Sequence, residues 1–157
     1  MRPEGIGVVP PALDRHLSHC ETTRDLARRS LLNGQRIRVL TIVDVFSKLS
    51  PRIGVGFTYK GCDVVETLEQ AVNDHGCPKR IRVDNGPEFV SRDLDLWAHA
   101  KGVVLDFSRP GKPTDNACIE ALNSRFRQEC LNASWLLSLE DARSKIEAWR
   151  VDYNPVS

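Results

Sequence analysis

The order of apolar segments is the feature that most limits how this chain can fold. Residues 36–45 are dense in Ile, Val and Leu, which is typical of a buried strand. A second strand candidate follows at 52–59, and after it segments with helical spacing alternate with the short apolar runs 81–83 and 103–107. Leading strands followed by alternating helices and strands predict an α/β domain with a mixed sheet flanked by helices.

Turn and capping residues mark the boundaries of these elements. Asn33-Gly34 predicts a hairpin turn before the strand at 36–45. Each predicted helix opens at a residue whose side chain can accept a hydrogen bond from the first turn. These residues are Asp63, Ser91, Thr114 or Asp115, and Ser138.

The length of 157 residues predicts one domain. Residues 1–21 contain several Pro and Gly and predict an irregular or disordered segment, so the folded domain is expected to span 22–157. No apolar run is long enough for a membrane helix and no secretory signal is visible, so we expect a cytoplasmic protein without a membrane partner. The five cysteines are scattered without a C-x-x-C pair, which predicts reduced thiols.

Two carboxylates in distinctive contexts suggest phosphoryl-transfer chemistry. Asp84 ends the apolar run 81–83 and precedes the turn sequence Asn85-Gly86-Pro87, whereas Glu120 lies inside a helical pattern. Thirty-five residues separate these two acids. An acid at a strand end and an acid on a helix can share divalent metals once the fold brings them together. Metals held in this way activate a nucleophile and stabilise a leaving group.

Several stretches, in this order and at this spacing, resemble the catalytic core of insertion-sequence transposases of the retroviral-integrase type. The matching stretches are 40–47, 83–89, 107–116, 119–123 and the closing Asp152-Tyr153-Asn154. The resemblance runs from about Asp25 to Asn154 and implies a ribonuclease H-like fold. The integrase signature is an Asp, a second Asp and a Glu that follows after 35 residues.

The resemblance also implies a catalytic and metal-binding triad of Asp25, Asp84 and Glu120 that holds two Mg²⁺ ions, with Mn²⁺ as a substitute. Asp25 aligns with the first Asp of the family and lies 58 residues before Asp84, although Thr22 stands where the family pattern has Trp. Asp44 is the rival because it ends a much better strand. Its family counterpart is not catalytic, and we expect Asp44 to meet a turn.

DNA transposition or integration is the activity that the resemblance implies, with cleavage at element ends and strand transfer into target DNA. The partners are then DNA and further copies of the chain, assembled as a homo-oligomer on that DNA. The formal net charge of +1 does not by itself indicate nucleic-acid binding, and solvated surface charges are the alternative explanation for local basic residues. The candidate DNA-binding residues are Arg109, Lys112, Asn116, Asn123 and Arg127.

A second hypothesis is a catalytically inactive, truncated transposase that keeps the fold with weak nucleic-acid binding or multimerisation. Residues 1–21 do not resemble an upstream helix-turn-helix region, the chain ends soon after Asn154, and arginines surround Asp25. These departures leave open whether the chain is an active enzyme. A plain ribonuclease H-type nuclease is a third hypothesis, and the integrase-like stretches 85–89 and 109–113 argue against it.

Overall fold

A computed structural model of the chain describes residues 17, 19–24, 30–83, 86–107, 117–133 and 135–154. The strands are β1 (His19–Arg24), β2 (Arg38–Asp44), β3 (Ile53–Gly56), β4 (Arg80–Val83) and β5 (Val104–Phe107). The α-helices are α1 (Gly61–His75), α2 (Arg92–Lys101), α3 (Ala117–Phe126) and α4 (Leu139–Tyr153). Helix α3 runs directly into a π-helical segment, Arg127–Leu131. No helix in the described part is long and apolar enough to cross a bilayer.

The strands form one mixed sheet in the order β3-β2-β1-β4-β5. Strand β2 pairs antiparallel with both β1 and β3, whereas β1 pairs parallel with β4 and β4 pairs parallel with β5. Strand β1 therefore lies at the centre of the sheet, with Glu21 opposite Val43 of β2 and Arg82 of β4. This arrangement confirms the predicted α/β fold with a mixed sheet.

Helices cover both faces of the sheet because the strands alternate their apolar side chains between the two sides. Leu40 and Ile42 of β2 point to one face and pack in a cluster with residues of α1 and α2. Val39 and Val43 point to the opposite face, where they pack with residues of α3, the π-helical segment and α4. The chain thus buries a core on each side of the sheet.

Two of the predicted helix caps are confirmed and one is wrong. The hydroxyls of Ser91 and Ser138 accept hydrogen bonds from the third helical residue of α2 and α4. Helix α1 instead begins after Lys60, and the Asp63 carboxylate accepts a hydrogen bond from the Lys60 backbone N–H at 2.8 Å. Asp63 therefore serves the first turn from inside the helix. Thr114 and Asp115 lie outside the described residues.

The amino-terminal boundary also differs from the prediction of irregular structure over 1–21. Strand β1 begins at His19, and Leu17 is buried in the core beside α1 and α2. The hairpin turn at Asn33-Gly34 forms as expected, with Gly34 at a φ of +92° beside a bridge between Ser30 and Arg36. All five cysteines are free, in agreement with the prediction of reduced thiols.

Candidate active site at the start of helix α3

Helix α3 places Glu120 at the edge of the central part of the sheet. Ile119 and Leu122 are buried against Val43 of β2 and fix the apolar face of the helix. Glu120 follows Ile119 in the first turn, and its side chain is exposed to solvent. The sequence predicted that Glu120 lies beside the apolar face rather than within it, and this prediction is confirmed.

A buried carboxylate of β1 holds the first turn of α3. The backbone N–H of Ile119 donates a hydrogen bond to Oε1 of Glu21 at 2.9 Å, and Glu21 is only 6% exposed. The first amides of a helix lack partners within the helix, and a negative charge at this end is favourable. Glu21 therefore links the central strand directly to the residue that precedes Glu120.

Sequence reasoning missed Glu21 because it assigned residues up to 21 to an irregular segment. The available signal was weak: Cys20 and Thr22 are buried neighbours of an acid, but they do not form an apolar run. Assigning a strand to 19–24 would have placed Glu21 on the sheet. That strand is fixed by pairing with β2 and β4, which are distant in the sequence.

The segment after β4 is anchored by its own turn. Asp84 follows Val83 directly in the chain, and Asp84 and Asn85 lie outside the described residues. The backbone N–H groups of Phe89 and Val90 donate to the carbonyl of Gly86 at 3.0 and 3.2 Å. The Phe89 ring is fully buried, and the carboxylate of Glu88 folds over Gly86, where a side chain would collide with it. This packing fixes the chain two residues beyond Asp84.

Of the remaining predicted site residues, the structure describes Asn123 and Arg127 but not the other four. Asp25, Arg109, Lys112 and Asn116 lie outside the described residues. Arg127 is exposed at the start of the π-helical segment, two helical turns beyond Glu120. The structure therefore places Glu120 and Arg127 on one continuous helical segment.

Asn123 has a structural partner. The Thr41 hydroxyl donates a hydrogen bond to Oδ1 of Asn123 at 2.8 Å, and the asparagine is only 6% exposed. Its side chain therefore packs against β2. This hydrogen bond uses the carboxamide oxygen of Asn123 and holds the side chain in one orientation.

Asp44 serves the turn after β2, as the sequence predicts. Its Oδ2 accepts hydrogen bonds from the backbone N–H and the hydroxyl of Ser47, at 2.9 and 2.7 Å. The following residue, Lys48, has a φ of +65° and donates its backbone N–H to the Asp44 carbonyl. These contacts give the buried Asp44 carboxylate a local role in chain reversal.

Basic side chains near the site are partly compensated by acids. Arg80 and Arg82 both approach Oδ2 of Asp106, at 3.4 and 2.9 Å. Arg125 of α3 pairs with Glu129 at 3.1 Å and lies over the Tyr153 ring. The positive charge available to a ligand is therefore lower than the number of arginines indicates.

One ammonium group lies beside the amino-terminal turn of α3. Lys48 Nζ donates to Sγ of Cys118 at 3.1 Å, and this hydrogen bond raises the pKa of Lys48. The negative charges of Glu21 and Asp44 act in the same direction on this pKa. The positive charge of Lys48 therefore acts on the acidic residues near the start of α3.

At the start of α3, carboxylate oxygens are the atoms that could bind a metal. Glu21 and Glu120 belong to adjoining parts of β1 and α3, and Mg²⁺ prefers such hard oxygen ligands. Within the described ranges, no three His, Cys, Asp or Glu side chains group closely enough to hold an ion. Two carboxylates fit the chemistry of a divalent cation, and Asp84 follows the last residue of β4 in the sequence.

A cavity of about 510 Å³ lies elsewhere, between β3, α1 and α4. Its walls include Arg52, Gly54, Tyr59, Thr67 and Arg143, and it contains none of the predicted site residues. The arginines share the cavity with Glu66 and Glu147, so its lining carries both signs of charge. We assign the candidate active site to the start of α3.

Comparison with known proteins identifies the family. A family model described as integrase core domain matches residues 22–113, and a second model with the same description matches residues 101–156. The chain belongs to the integrase core domain family. These two matches together extend from within β1 to beyond the end of α4.

Insertion-element proteins are among the relatives of this integrase core domain. An uncharacterized 31.7 kDa protein of insertion element IS407 from Burkholderia multivorans is 48% identical over 130 residues, covering 83% of this chain and 47% of that protein. An uncharacterized 39.2 kDa protein of IS476 from Xanthomonas euvesicatoria is 43% identical over 132 residues, covering 84% and 38%. The resemblance to insertion-sequence transposases of integrase type is confirmed, and the chain spans about half or less of these relatives.

A solved structure supports the fold. A chain of the simian T-cell lymphotropic virus intasome, in complex with PP2A regulatory subunit B56 gamma, matches with a TM-score of 0.68. The match covers 90% of this chain and 50% of that chain at 17% sequence identity. At this identity the likeness concerns the fold, and it confirms the predicted ribonuclease H-like architecture.

Proposed function

We propose that this chain is the catalytic core of a transposase that cleaves DNA at element ends and transfers the cut strand by metal-dependent polynucleotidyl transfer. One observation carries the proposal: in an integrase core domain, the first turn of α3 exposes Glu120 beside the central strands, at the signature spacing from Asp84. The insertion-element relatives support DNA as the substrate.

Asp84 and Glu120 would hold the metal together with a third carboxylate, for which the sequence predicts Asp25. Oxygen ligands of this kind suit two Mg²⁺ ions, and Mn²⁺ is the expected substitute. When bound, such ions supply Lewis acidity that activates water or a 3′-hydroxyl and stabilises the departing oxygen. The carboxylates would repel one another without a cation, so cation binding and the order of this edge should be coupled.

The protein's own contribution is to hold Glu120 in place and to position DNA. Burial of Ile119 and Leu122 and the bond from Ile119 to Glu21 fix the helix that carries Glu120. We further propose that Arg127 contacts the DNA backbone, together with Arg109, Lys112 and Asn116 from the predicted set. Homo-oligomers assembled on DNA would hold two ends for joining.

The test measures nicking and joining of labelled duplex DNA in Mg²⁺ or Mn²⁺. The variants are Asp84→Asn and Glu120→Gln, and Glu140→Gln is a matched control because Glu140 is also an exposed glutamate in the first turn of a helix. We expect product from the wild type and the control, and none from the two site variants. Equal product from all four proteins, or none from folded wild type, would reject the proposal.

An inactive transposase remnant is the second candidate function. The observation that favours it is the sequence around Asp25, where Thr22 stands in place of the family's Trp and arginines surround the acid. A remnant would shift labelled DNA in a gel or join a multimer, but it would yield no metal-dependent product. The same assay, combined with a gel-shift measurement, separates the two candidates.

A further inference from the structure

We propose that Glu21, rather than Asp25, supplies the carboxylate that β1 contributes to the metal-binding site. The inference rests on the proposed function and names a residue that the sequence signature does not select. Its basis is the position of Glu21 in the sheet, the burial of its side chain and its hydrogen bond to α3.

The sheet directs Glu21 towards the helix that carries Glu120. Glu21 is opposite Val43 in the β1–β2 ladder, and residues directly opposite each other project to the same face. Val43 packs against Ile119 and Leu122 of α3, whereas Cys20, the neighbour of Glu21, packs on the opposite face. Glu21 therefore belongs to the face that α3 covers.

The parallel ladder brings Glu21 close to the end of β4. Glu21 pairs with Arg82, two residues before Asp84. The contact with α3 supports Glu21 as the ligand, because its carboxylate bonds to the residue adjacent to Glu120.

The hydrogen bond of Glu21 is compatible with a ligand role. Oε1 accepts the Ile119 N–H at 2.9 Å, and that bond does not use Oε2. Carboxylates that bind metals are commonly oriented by a hydrogen bond from a neighbouring group. The Ile119 amide would orient Glu21 in this way and leave the second oxygen for the ion.

Burial gives a physical reason for a cation at this position. A carboxylate that is 94% shielded from water needs compensation of its charge, which the Ile119 amide and the positive charge of Lys48 supply in part. The buried carboxylate of Asp44 differs, because the N–H and O–H of Ser47 both donate to one of its oxygens. An ion shared by Glu21 and Glu120 would compensate the β1 carboxylate.

The test is Mn²⁺ binding by the full chain, measured by calorimetry, together with the melting temperature in the absence of metal. Glu21→Gln keeps an oxygen that can accept the Ile119 N–H but removes the charge. We expect this variant to melt like the wild type without metal and to bind Mn²⁺ about tenfold or more weakly. Glu140→Gln, far along the chain on α4, should leave the affinity unchanged.

Asp25→Asn tests the competing assignment in the same titration. Wild-type affinity in Glu21→Gln, or a loss of affinity in Asp25→Asn with none in Glu21→Gln, would overturn the inference. If Glu21→Gln does not fold, Glu21→Asp keeps the charge but withdraws it by one methylene group. We then expect weaker Mn²⁺ binding by Glu21→Asp, and unchanged binding would overturn the inference.

Asp84→Asn and Glu120→Gln separate a failure of this inference from a failure of the proposed function. If both weaken Mn²⁺ binding while Glu21→Gln does not, Glu21 is only a helix-capping residue and the transferase proposal stands. If folded wild type binds no Mn²⁺, the ligand role of Glu21 and the metal-dependent function fail together.

Discussion

The hydrogen bond between Thr41 and Asn123 is the buried polar link between β2 and α3. Thr41 is fully buried, and Asn123 lies one helical turn after Glu120. Replacing Asn123 with Ala would leave the Thr41 hydroxyl without this partner in a site closed to water. We expect the free energy of unfolding to fall by about 1–3 kcal/mol.

Urea denaturation of Asn123→Ala and of the wild type measures this loss. Ser124→Ala is the control, because Ser124 is the exposed neighbour on the same helix and its replacement should change stability little. An Asn123→Ala variant as stable as the control would show that the Thr41 hydroxyl finds another partner.

Asn123 also shows that helical spacing alone does not reveal how far a side chain is buried. Its spacing of three residues from Glu120 predicts a shared side of the helix, and that spacing suggested a DNA contact. The same residue is one position after Leu122 and three before Phe126, both of which are fully buried. The boundary between the solvent and core sides of α3 depends on how β2 packs, which the sequence of the helix does not contain.

At the scale of secondary-structure elements, β3 and α1 meet at a glycine. The Tyr59 hydroxyl shares a hydrogen bond with the Thr67 hydroxyl of α1 and lies directly over Gly54 of β3. A methyl group at position 54 would overlap the Tyr59 hydroxyl. The tyrosine ring cannot easily move aside, because it is attached to the backbone at one end and hydrogen-bonded to Thr67 at the other. We expect Gly54→Ala to lower the free energy of unfolding by about 1–3 kcal/mol.

A double-mutant cycle with Tyr59→Phe tests this cause. Removing the hydroxyl makes room for the methyl group, so Gly54→Ala should cost less in the Tyr59→Phe background than in the wild type. Equal costs in both backgrounds would assign the loss to the strand backbone instead of to the tyrosine.

Helix α4 is attached to the β2–β3 connection through Arg150. Its guanidinium donates to the Ser50 carbonyl at 2.7 Å and makes two hydrogen bonds to the Glu147 carboxylate. The hydrogen bonds from Arg150 hold the pKa of Glu147 below its usual value of 4.5. A lowered carboxyl pKa means that this contribution to stability is present above pH 4.5 and is lost as pH falls through the folded-state pKa.

We therefore expect Glu147→Gln to be less stable than the wild type at neutral pH by about 1 kcal/mol or less, because the Glu147 side chain is 45% exposed and its charge is screened. The difference should shrink as the pH falls below 4.5. Denaturant unfolding of both proteins across this pH range measures it. A difference that stays constant with pH would show that the charge of Glu147 contributes nothing.

The sequence identified most elements because their signals are local. The capping hydroxyls of Ser91 and Ser138 act within one helical turn, and the β-branched run of β2 reflects burial on both of its faces. Strand β1 carries no such signal, because Cys20, Glu21 and Thr22 form neither an apolar run nor a regular alternation of apolar and polar residues. Its structure depends on pairing with β2 and β4, and Glu21 was missed for the same reason.

At the scale of the whole molecule, the two faces of the sheet differ in role. The face covered by α1 and α2 contains the apolar cluster around Leu40 and Ile42, and the face covered by α3 contains Glu21 and the hydrogen-bonded pair Thr41 and Asn123. A formal net charge of +1 leaves little general attraction for DNA. DNA binding should therefore depend on a few cations on the α3 side.

Salt dependence of DNA affinity tests this asymmetry. Each phosphate contact that is lost reduces the slope of log affinity against log salt by about 0.9 for duplex DNA. We expect Arg127→Ala to reduce the slope by about this amount, and Arg92→Ala, an exposed arginine of α2 on the opposite face, to leave it unchanged. Fluorescence anisotropy with labelled duplex over a range of salt concentrations gives both slopes. Equal reductions of the slope in both variants would mean that DNA is attracted by the diffuse charge of the whole protein. A defined contact surface on the α3 side would instead make the slope depend on Arg127 and not on Arg92.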